Sequence, residues 1–170
     1  MAPTLTQEEA LCLFEYRDGE LFWKKMTTTR TENLVGQVAG YIHKHGYKLI
    51  SVRGYQHKAH RLIFLYHYGY MPKFVDHING IRCDNRIENL REATRNENAR
   101  NCFLTKPNAS GTKGVSKLKN SDKWRCRLTV DKVTKCVTGF DTKELAQEFV
   151  ELWREIAHGN FANHNYVTRT

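Results

Sequence analysis

No apolar stretch in these 170 residues approaches the roughly 20 needed to span a bilayer, so a membrane helix is not expected. Residues 1–9 lack a basic region followed by an apolar run, which argues against a secretory signal. Cysteine is sparse: Cys12, Cys83, Cys102, Cys126 and Cys136 form no C-x-x-C pair, so the usual structural zinc spacing is missing. Their odd number and scatter suit a reducing cytosol rather than a disulfide scaffold. Internal repeats and low-complexity tracts are also lacking. Acids are outnumbered, 18 against 27 lysines and arginines, which gives a net charge of +9 and an isoelectric point near 9.4. An acidic partner is implied. The length suits one ordinary domain or two small ones.

Local signals divide the chain. Thr6 and Glu9 form a capping box, which predicts a helix over about 7–16 with Leu11 and Phe14 inward. Gly19 to Trp23 reads as a strand. Residues 35–58 place glycines between β-type residues and read as short hairpins. Ala59 to Tyr68 reads as a helix stopped by Gly69, with Leu62, Leu65 and Tyr66 in the core. Phe74–His77 is a predicted strand, 78–89 a loop and Leu90–Ala93 a second strand. Thr94 and Glu97 form another capping box, so a helix is expected from Arg95, with Asn98 within about its first turn. Residues 106–111 have linker chemistry. Strands follow at 114–118, 124–130 and about 133–139. Asp141 or Thr142 caps a last helix, which carries Leu145, Phe149, Trp153 and Ile156 on one stripe and ends at Gly159.

The most informative residues are Asp76-His77-Ile78-Asn79-Gly80, with Asn89 and Asn98 lying 12 and 21 residues beyond His77. Hydrolysis of a phosphodiester needs an activated water and a stabilised pentacoordinate phosphate. A histidine near neutral pKa serves as general base. A hard divalent cation stabilises the charge. Neighbours on a strand point to opposite sides, so Asp76 and His77 serve one site only if the strand ends there; Asn79-Gly80 supplies the turn. A calcium loop counted from Asp76 fails, because Ile78 and Gly80 occupy ligand positions.

Segment 74–98, read as D-H-I-N-G-x-x-x-D-N-x-x-x-N-L-R followed by T-x-x-E-N, resembles the HNH, or His-Me finger, endonucleases. The likeness is to phage and homing types with asparagine in place of the final histidine. It implies a ββα-metal core in which His77 is the general base. Asp76 and Asn98 would ligate one Mg²⁺ or Mn²⁺ per active site, because a neutral asparagine ligand disfavours tight Zn²⁺. Asn89 would bond across the loop and orient His77. Asn79 and Asn85 are weaker candidates for loop support. His60-Arg61 supports the site, touches phosphate, or simply packs or lies on the surface.

Segment 112–140 carries Lys113, Lys117, Lys119, Lys123, Arg125, Arg127, Lys132 and Lys135 against only Asp122 and Asp131. The following helix is acidic. Period two puts Lys123, Arg125, Arg127 and Thr129 on one face of the middle strand, and Trp124, Cys126, Leu128 and Val130 on the face that packs on the helix. G-V-S-K, K-W-R-C-R-L, G-F-D-T and A-H-G-N-F-A over 112–163 resemble the APETALA/ERF-type DNA-binding domain. That likeness implies duplex DNA contacts from the sheet by Lys113, Lys117, Lys119, Lys123, Arg125, Arg127 and Lys135.

The expected architecture is α+β. A β-rich N-terminal scaffold and nuclease core fill 1–105, with the ββα-metal part at about 73–103. A linker over 106–111, a three-stranded antiparallel sheet with one packed helix over 112–163, and a tail over 164–170 complete it. The expected function is a metal-dependent DNA endonuclease of phage homing type. Duplex DNA would be its partner, as a monomer or homodimer in the host cytoplasm, without an obligate protein partner or membrane. The competing readings are a DNA-binding regulator with an inactive nuclease core and an RNA-binding protein, separable by competition between duplex, single strands and RNA.

Overall fold

Thr6 accepts a hydrogen bond from Glu9 N (3.2 Å) and Glu9 returns one to Thr6 N (3.0 Å), so the capping box opens α1 at Gln7–Leu13. A computed structural model describes residues 5–24, 34–101 and 109–164. Cys102, residues 106–108 of the expected linker and residues 165–170 of the expected tail lie outside them. The chain forms two compact units, Met1–Thr94 and Arg95–Thr170.

In the first unit α1 stops earlier than the expected 16, because Phe14 is already extended. Phe14–Arg17 is β1, which pairs antiparallel with β2 (Glu20–Trp23) across Asp18-Gly19. Phe14 is fully buried as a strand residue, whereas Leu11, expected inward, is exposed; Ala10 and Leu13 take the inner face of the short helix. Gly19, at φ 84°, approaches the later loop so closely that a Cβ there would lie 2.9 Å from Arg86 N. Strands β3 (Tyr41–Ile42), β4 (Lys48–Val52) and β5 (Tyr55–Lys58) form the expected antiparallel hairpins. Helix α2 (Ala59–Tyr68) follows directly and ends at Gly69 in the left-handed region (φ 78°). Leu62 and Leu65 are buried in the core and Tyr66 is packed against it.

The hairpin β6 (Phe74–His77) and β7 (Leu90–Ala93) contributes Val75 and Leu90 to the same core as α2. Its register pairs Asp76 with Arg91 and His77 with Leu90. Burial of this apolar set anchors the hairpin, since each fully buried aliphatic side chain contributes about 1.5–3 kcal/mol.

The second unit begins with α3 (Arg95–Arg100). It packs with the segments that follow: Arg100 pairs with Asp131 (2.8 Å), and Asn163 Nδ2 donates to the Asn101 carbonyl and side-chain oxygen (2.9 and 2.8 Å). The division therefore falls at Thr94/Arg95, ahead of the expected 106–111. Strands β8 (Val115–Lys117), β9 (Trp124–Val130) and β10 (Val133–Phe140) form an antiparallel sheet in the order β10-β9-β8. Thr142 caps α4 (Lys143–His158), and Gly159 ends it.

The expected inner stripe of α4 is corrected. Ala146, Val150 and Arg154 are buried, while Leu145, Phe149 and Ile156 are 50%, 38% and 77% exposed; Trp153 is partly buried. Small residues let the helix approach the sheet, so that the Cys126 thiol donates to the Ala146 carbonyl at 2.9 Å. Arg154 is buried at the same face and donates to the Lys113 carbonyl (2.8 Å). Among the described residues no helix is long and apolar enough to cross a membrane.

Candidate functional site

Strand β6 ends at His77, and the backbone turns at once. Gly80 N donates to the His77 carbonyl (2.8 Å), and Ile81 N to Asn79 Oδ1 (2.8 Å). Ile78 N still reaches the Asn89 carbonyl on the opposite arm (2.8 Å). The expected strand end beside Asn79-Gly80 is present.

Asn89 fastens the loop internally. Its Oδ1 accepts from Asn79 N (3.0 Å), and its Nδ2 donates to Asn79 Oδ1 (3.0 Å) and to the Asp84 carbonyl (2.7 Å). Asn79 Nδ2 donates to Asp84 (2.7 Å), whose carboxyl is held down to about 2 chiefly by the Arg86 guanidinium. From outside, Ile87 N donates to the Tyr16 hydroxyl (3.0 Å). Asn89→Ala deletes three bonds among half-buried groups and is expected to cost about 2–4 kcal/mol. The readout is a lower denaturation midpoint of the first unit. Asn89→Asp keeps the acceptor for Asn79 N and is expected to lose less; an Asn89→Ala midpoint equal to wild type would remove Asn89 from the loop's support.

Asn89 acts on the loop, whereas the asparagine within hydrogen-bond distance of the His77 ring is Asn85. Asn85 is fully buried, and its Oδ1 lies 3.0 Å from His77 Nε2. With that oxygen facing the ring, His77 donates from Nε2, which leaves Nδ1 as its acceptor atom. Burial lowers the His77 pKa from the ordinary histidine value, with Asn85 and the carboxylates of Asp76 and Asp84 opposing. The imidazole is therefore neutral at pH 7, as a base must be.

His60 stands on the other side. It opens α2, is buried, and its ring meets that of His77 edge to face at 4.8 Å between centroids. Its Nδ1 is buried without a hydrogen-bond partner. Burial, with His77 and Lys58 nearby, pushes its pKa down to about 2. The unfolded chain then binds the proton that the folded chain refuses, so stability falls as pH drops below about 6.5. Between pH 6.5 and 5 the expected loss is on the order of 2 kcal/mol, by denaturant titration at both pH values. His60→Phe should flatten that slope; an equally steep slope would move its origin elsewhere. Arg61 serves packing, donating to the Pro72 and Lys73 carbonyls (2.9 and 3.1 Å).

Asp76 faces Arg91 across the hairpin. Arg91 Nε and Nη2 both reach Asp76 Oδ2 (2.9 and 2.8 Å), and both side chains are largely buried. Arg91 was not anticipated as a site residue, although the register makes it the direct cross-strand neighbour of Asp76. The first unit thus gathers Asp76, His77, Asn85 and Asn89 on one hairpin. Asn98 lies on α3, in the second unit. Among the described residues no group of three or more His, Cys, Asp or Glu is placed to hold a metal. The carboxylate of Asp76, oriented by Arg91, is a hard oxygen donor of the kind that suits Mg²⁺ or Mn²⁺ rather than zinc.

The pattern of the HNH endonuclease family matches residues 57–100, which spans His60, the hairpin and α3. Protein 3.8 of Escherichia phage T7 is 34% identical over 96 residues, covering 55% of this chain and 78% of its own length. A mimivirus protein named as an uncharacterised HNH endonuclease is 29% identical over 137 residues, covering 79% of this chain and 70% of its own length.

The chain carries an HNH endonuclease domain. No solved structure matches it. The HNH segment carries the Asp76-His77 pair, the three loop asparagines Asn79, Asn85 and Asn89, and Asn98, and it also takes in His60 and Arg91. Outside it, the sheet of the second unit distributes the candidate DNA contacts unevenly. Directly opposed residues in antiparallel strands share a side. Ser116 opposes Arg125 and Cys136 opposes Arg127, so both arginines face away from α4, and Arg125 donates to Ser116 Oγ (2.9 Å). Lys117 opposes Trp124 and Lys135 opposes Leu128, which puts both lysines on the helix side. Lys117 pairs with Asp122 and Lys123 with Asp141. Lys113 donates to the Arg100 carbonyl (3.3 Å), and Lys119 is exposed.

Proposed function

We propose that this protein is a divalent-metal-dependent endonuclease that hydrolyses phosphodiester bonds in duplex DNA, of the phage homing type, acting in the host cytoplasm. The observation that carries this reading is a buried, neutral histidine, oriented by Asn85 at the mouth of a loop fastened by Asn89, within the HNH segment. His77 accepts the proton of an attacking water at Nδ1. Asn85 fixes the ring's tautomer and direction by holding Nε2–H. Asn89 keeps the turn rigid, so the base meets the phosphate without reorganising. Asp76 and Asn98 would hold the cation through side-chain oxygens, and Arg91 orients Asp76. When bound, that cation supplies charge stabilisation to the phosphate and the leaving 3′ oxygen. The products carry 5′-phosphate and 3′-hydroxyl ends.

The second unit is the DNA-binding module, similar to APETALA/ERF-type domains. Arg125 and Arg127 share the sheet face with Ser116, Thr129, Thr134 and Thr138, the polar face that an exposed groove of DNA would meet. One site per chain predicts nicking by a monomer and double-strand breaks by a dimer. The test is supercoiled plasmid incubated with Mg²⁺ or Mn²⁺ against EDTA. Relaxation only with metal is expected, and the ratio of open-circle to linear product separates nicks from breaks. Duplex binding with no cleavage of any genomic or plasmid substrate would instead favour a DNA-binding regulator.

A further inference from the structure

Three elements of the first unit bring cations together beside His77. Tyr47, in the turn entering β4, lies with its ring 6.3 Å from His77 and 5.4 Å from His60. Lys58, at the end of β5, places Nζ 4.3 Å from the Tyr47 ring centroid, and Arg82, from the loop between β6 and β7, places Cζ 4.7 Å from it. Both distances fall within the range of cation–π attraction. Arg82 also donates to the His45 carbonyl (2.8 Å), which docks the catalytic loop on the β3–β4 turn.

Of the other cations in the first unit, Lys48 pairs with Glu20, Arg53 with Glu9, Arg86 with Asp84 and Arg91 with Asp76, while the Arg61 guanidinium is turned to the Pro72 and Lys73 carbonyls. Among the described residues neither Lys58 nor Arg82 pairs with a carboxylate. Partial desolvation lowers the Lys58 pKa, and Arg61 and Arg82 lower it further, so the two cations are held together against their repulsion. Arg82 likewise acts on His77. Convergent, unneutralised cations held on an aromatic face next to a base are arranged for an anion that arrives with the substrate.

We propose that Lys58 and Arg82, braced on Tyr47, form a clamp for backbone phosphate of the DNA strand presented to His77. The clamp rests on the nuclease reading for its role in cleavage, but it is a binding site in its own right. Lys58 contributes a point charge. Arg82 contributes both charge and planar donors, and its attachment to His45 couples phosphate capture to the placement of the 78–89 loop.

The test uses the full chain and a duplex DNA probe in EDTA, which separates binding from cleavage, with affinity measured across a salt series. Each lost phosphate contact lowers the slope of log affinity against log salt by about 0.9. Lys58→Gln and Arg82→Gln are therefore each expected to reduce the slope by about that amount and to weaken binding most at low salt. Tyr47→Leu keeps both charges and is expected to weaken binding with a nearly unchanged slope. On a cleavable duplex, the two charge variants should raise KM more than they lower kcat. Lys58 is exposed, so Lys58→Gln yields folded protein even if loss of the Arg82–His45 bond loosens the loop. Unchanged slopes in both charge variants overturn the clamp, whatever cleavage shows. A wild-type protein that never cleaves, with slopes lowered as expected, overturns the nuclease reading and leaves the clamp standing.

Discussion

His77→Ala is expected to lower DNA cleavage by about 10²- to 10⁴-fold, the usual contribution of a positioned general base, while duplex binding in EDTA stays near wild type. The expectation follows from the placement of the ring rather than from its identity alone. His77 is buried and neutral, and Asn85 holds one nitrogen, which leaves the other as the acceptor. His77→Gln is the companion variant. It keeps a polar side chain opposite Asn85 and fills part of the space beside His60, so it separates loss of the base from collapse of the pocket. Wild-type cleavage by both folded variants would place the base elsewhere. Asn85→Ala is expected to fall between the two extremes, because the base remains but its tautomer is no longer imposed.

Asp76→Asn and Arg91→Met are each expected to destabilise the first unit by about 3–5 kcal/mol, because each leaves one half of a buried ion pair uncompensated. The pair is close, with two guanidinium nitrogens on one carboxylate oxygen, and both side chains are largely shielded from water. The double variant is expected to recover much of that loss, since removing both charges also removes the desolvation cost. Denaturation in EDTA reads this coupling free of any metal. Two single variants with additive, sub-kilocalorie effects would show that the pair is screened and adds little to stability. In cleavage assays Arg91→Met should retain the carboxylate yet lose activity, because an unoriented Asp76 no longer presents a fixed oxygen.

Much of the fold was legible in the chain. The capping box at Thr6, the Gly69 stop after α2, the strands at 74–77 and 90–93 and the three strands of the second unit all follow from local signals. Local signals also misled. The capping box announced a helix start but carried no information about its end, so β1 was read as helix. On α4, the largest apolar residues formed the most conspicuous stripe, yet close packing on the sheet selected Ala146 and Val150 and buried the aliphatic and guanidinium length of Arg154. Size favours hydrophobicity in a sequence, whereas a small side chain is what permits close approach.

The sequence by itself determined the HNH segment, the Asp76-His77 pair, the loop asparagines and the alternation that puts Arg125 and Arg127 on one face. These are properties of residue order and of a period of two or of 3.6. Only the tertiary structure decided which groups surround the base. His60, Tyr47 and Lys58 come from the segment 47–60, and nothing in their spacing points to His77; the packing of α2 beneath β6 and the turn before β4 brings them there. Register likewise decided that Arg91 opposes Asp76 and that Lys117 and Lys135 lie on the helix side of their sheet. Periodicity gives the relative face of neighbours on one strand, but which face meets which on the next strand depends on a pairing that one residue's slip would reverse.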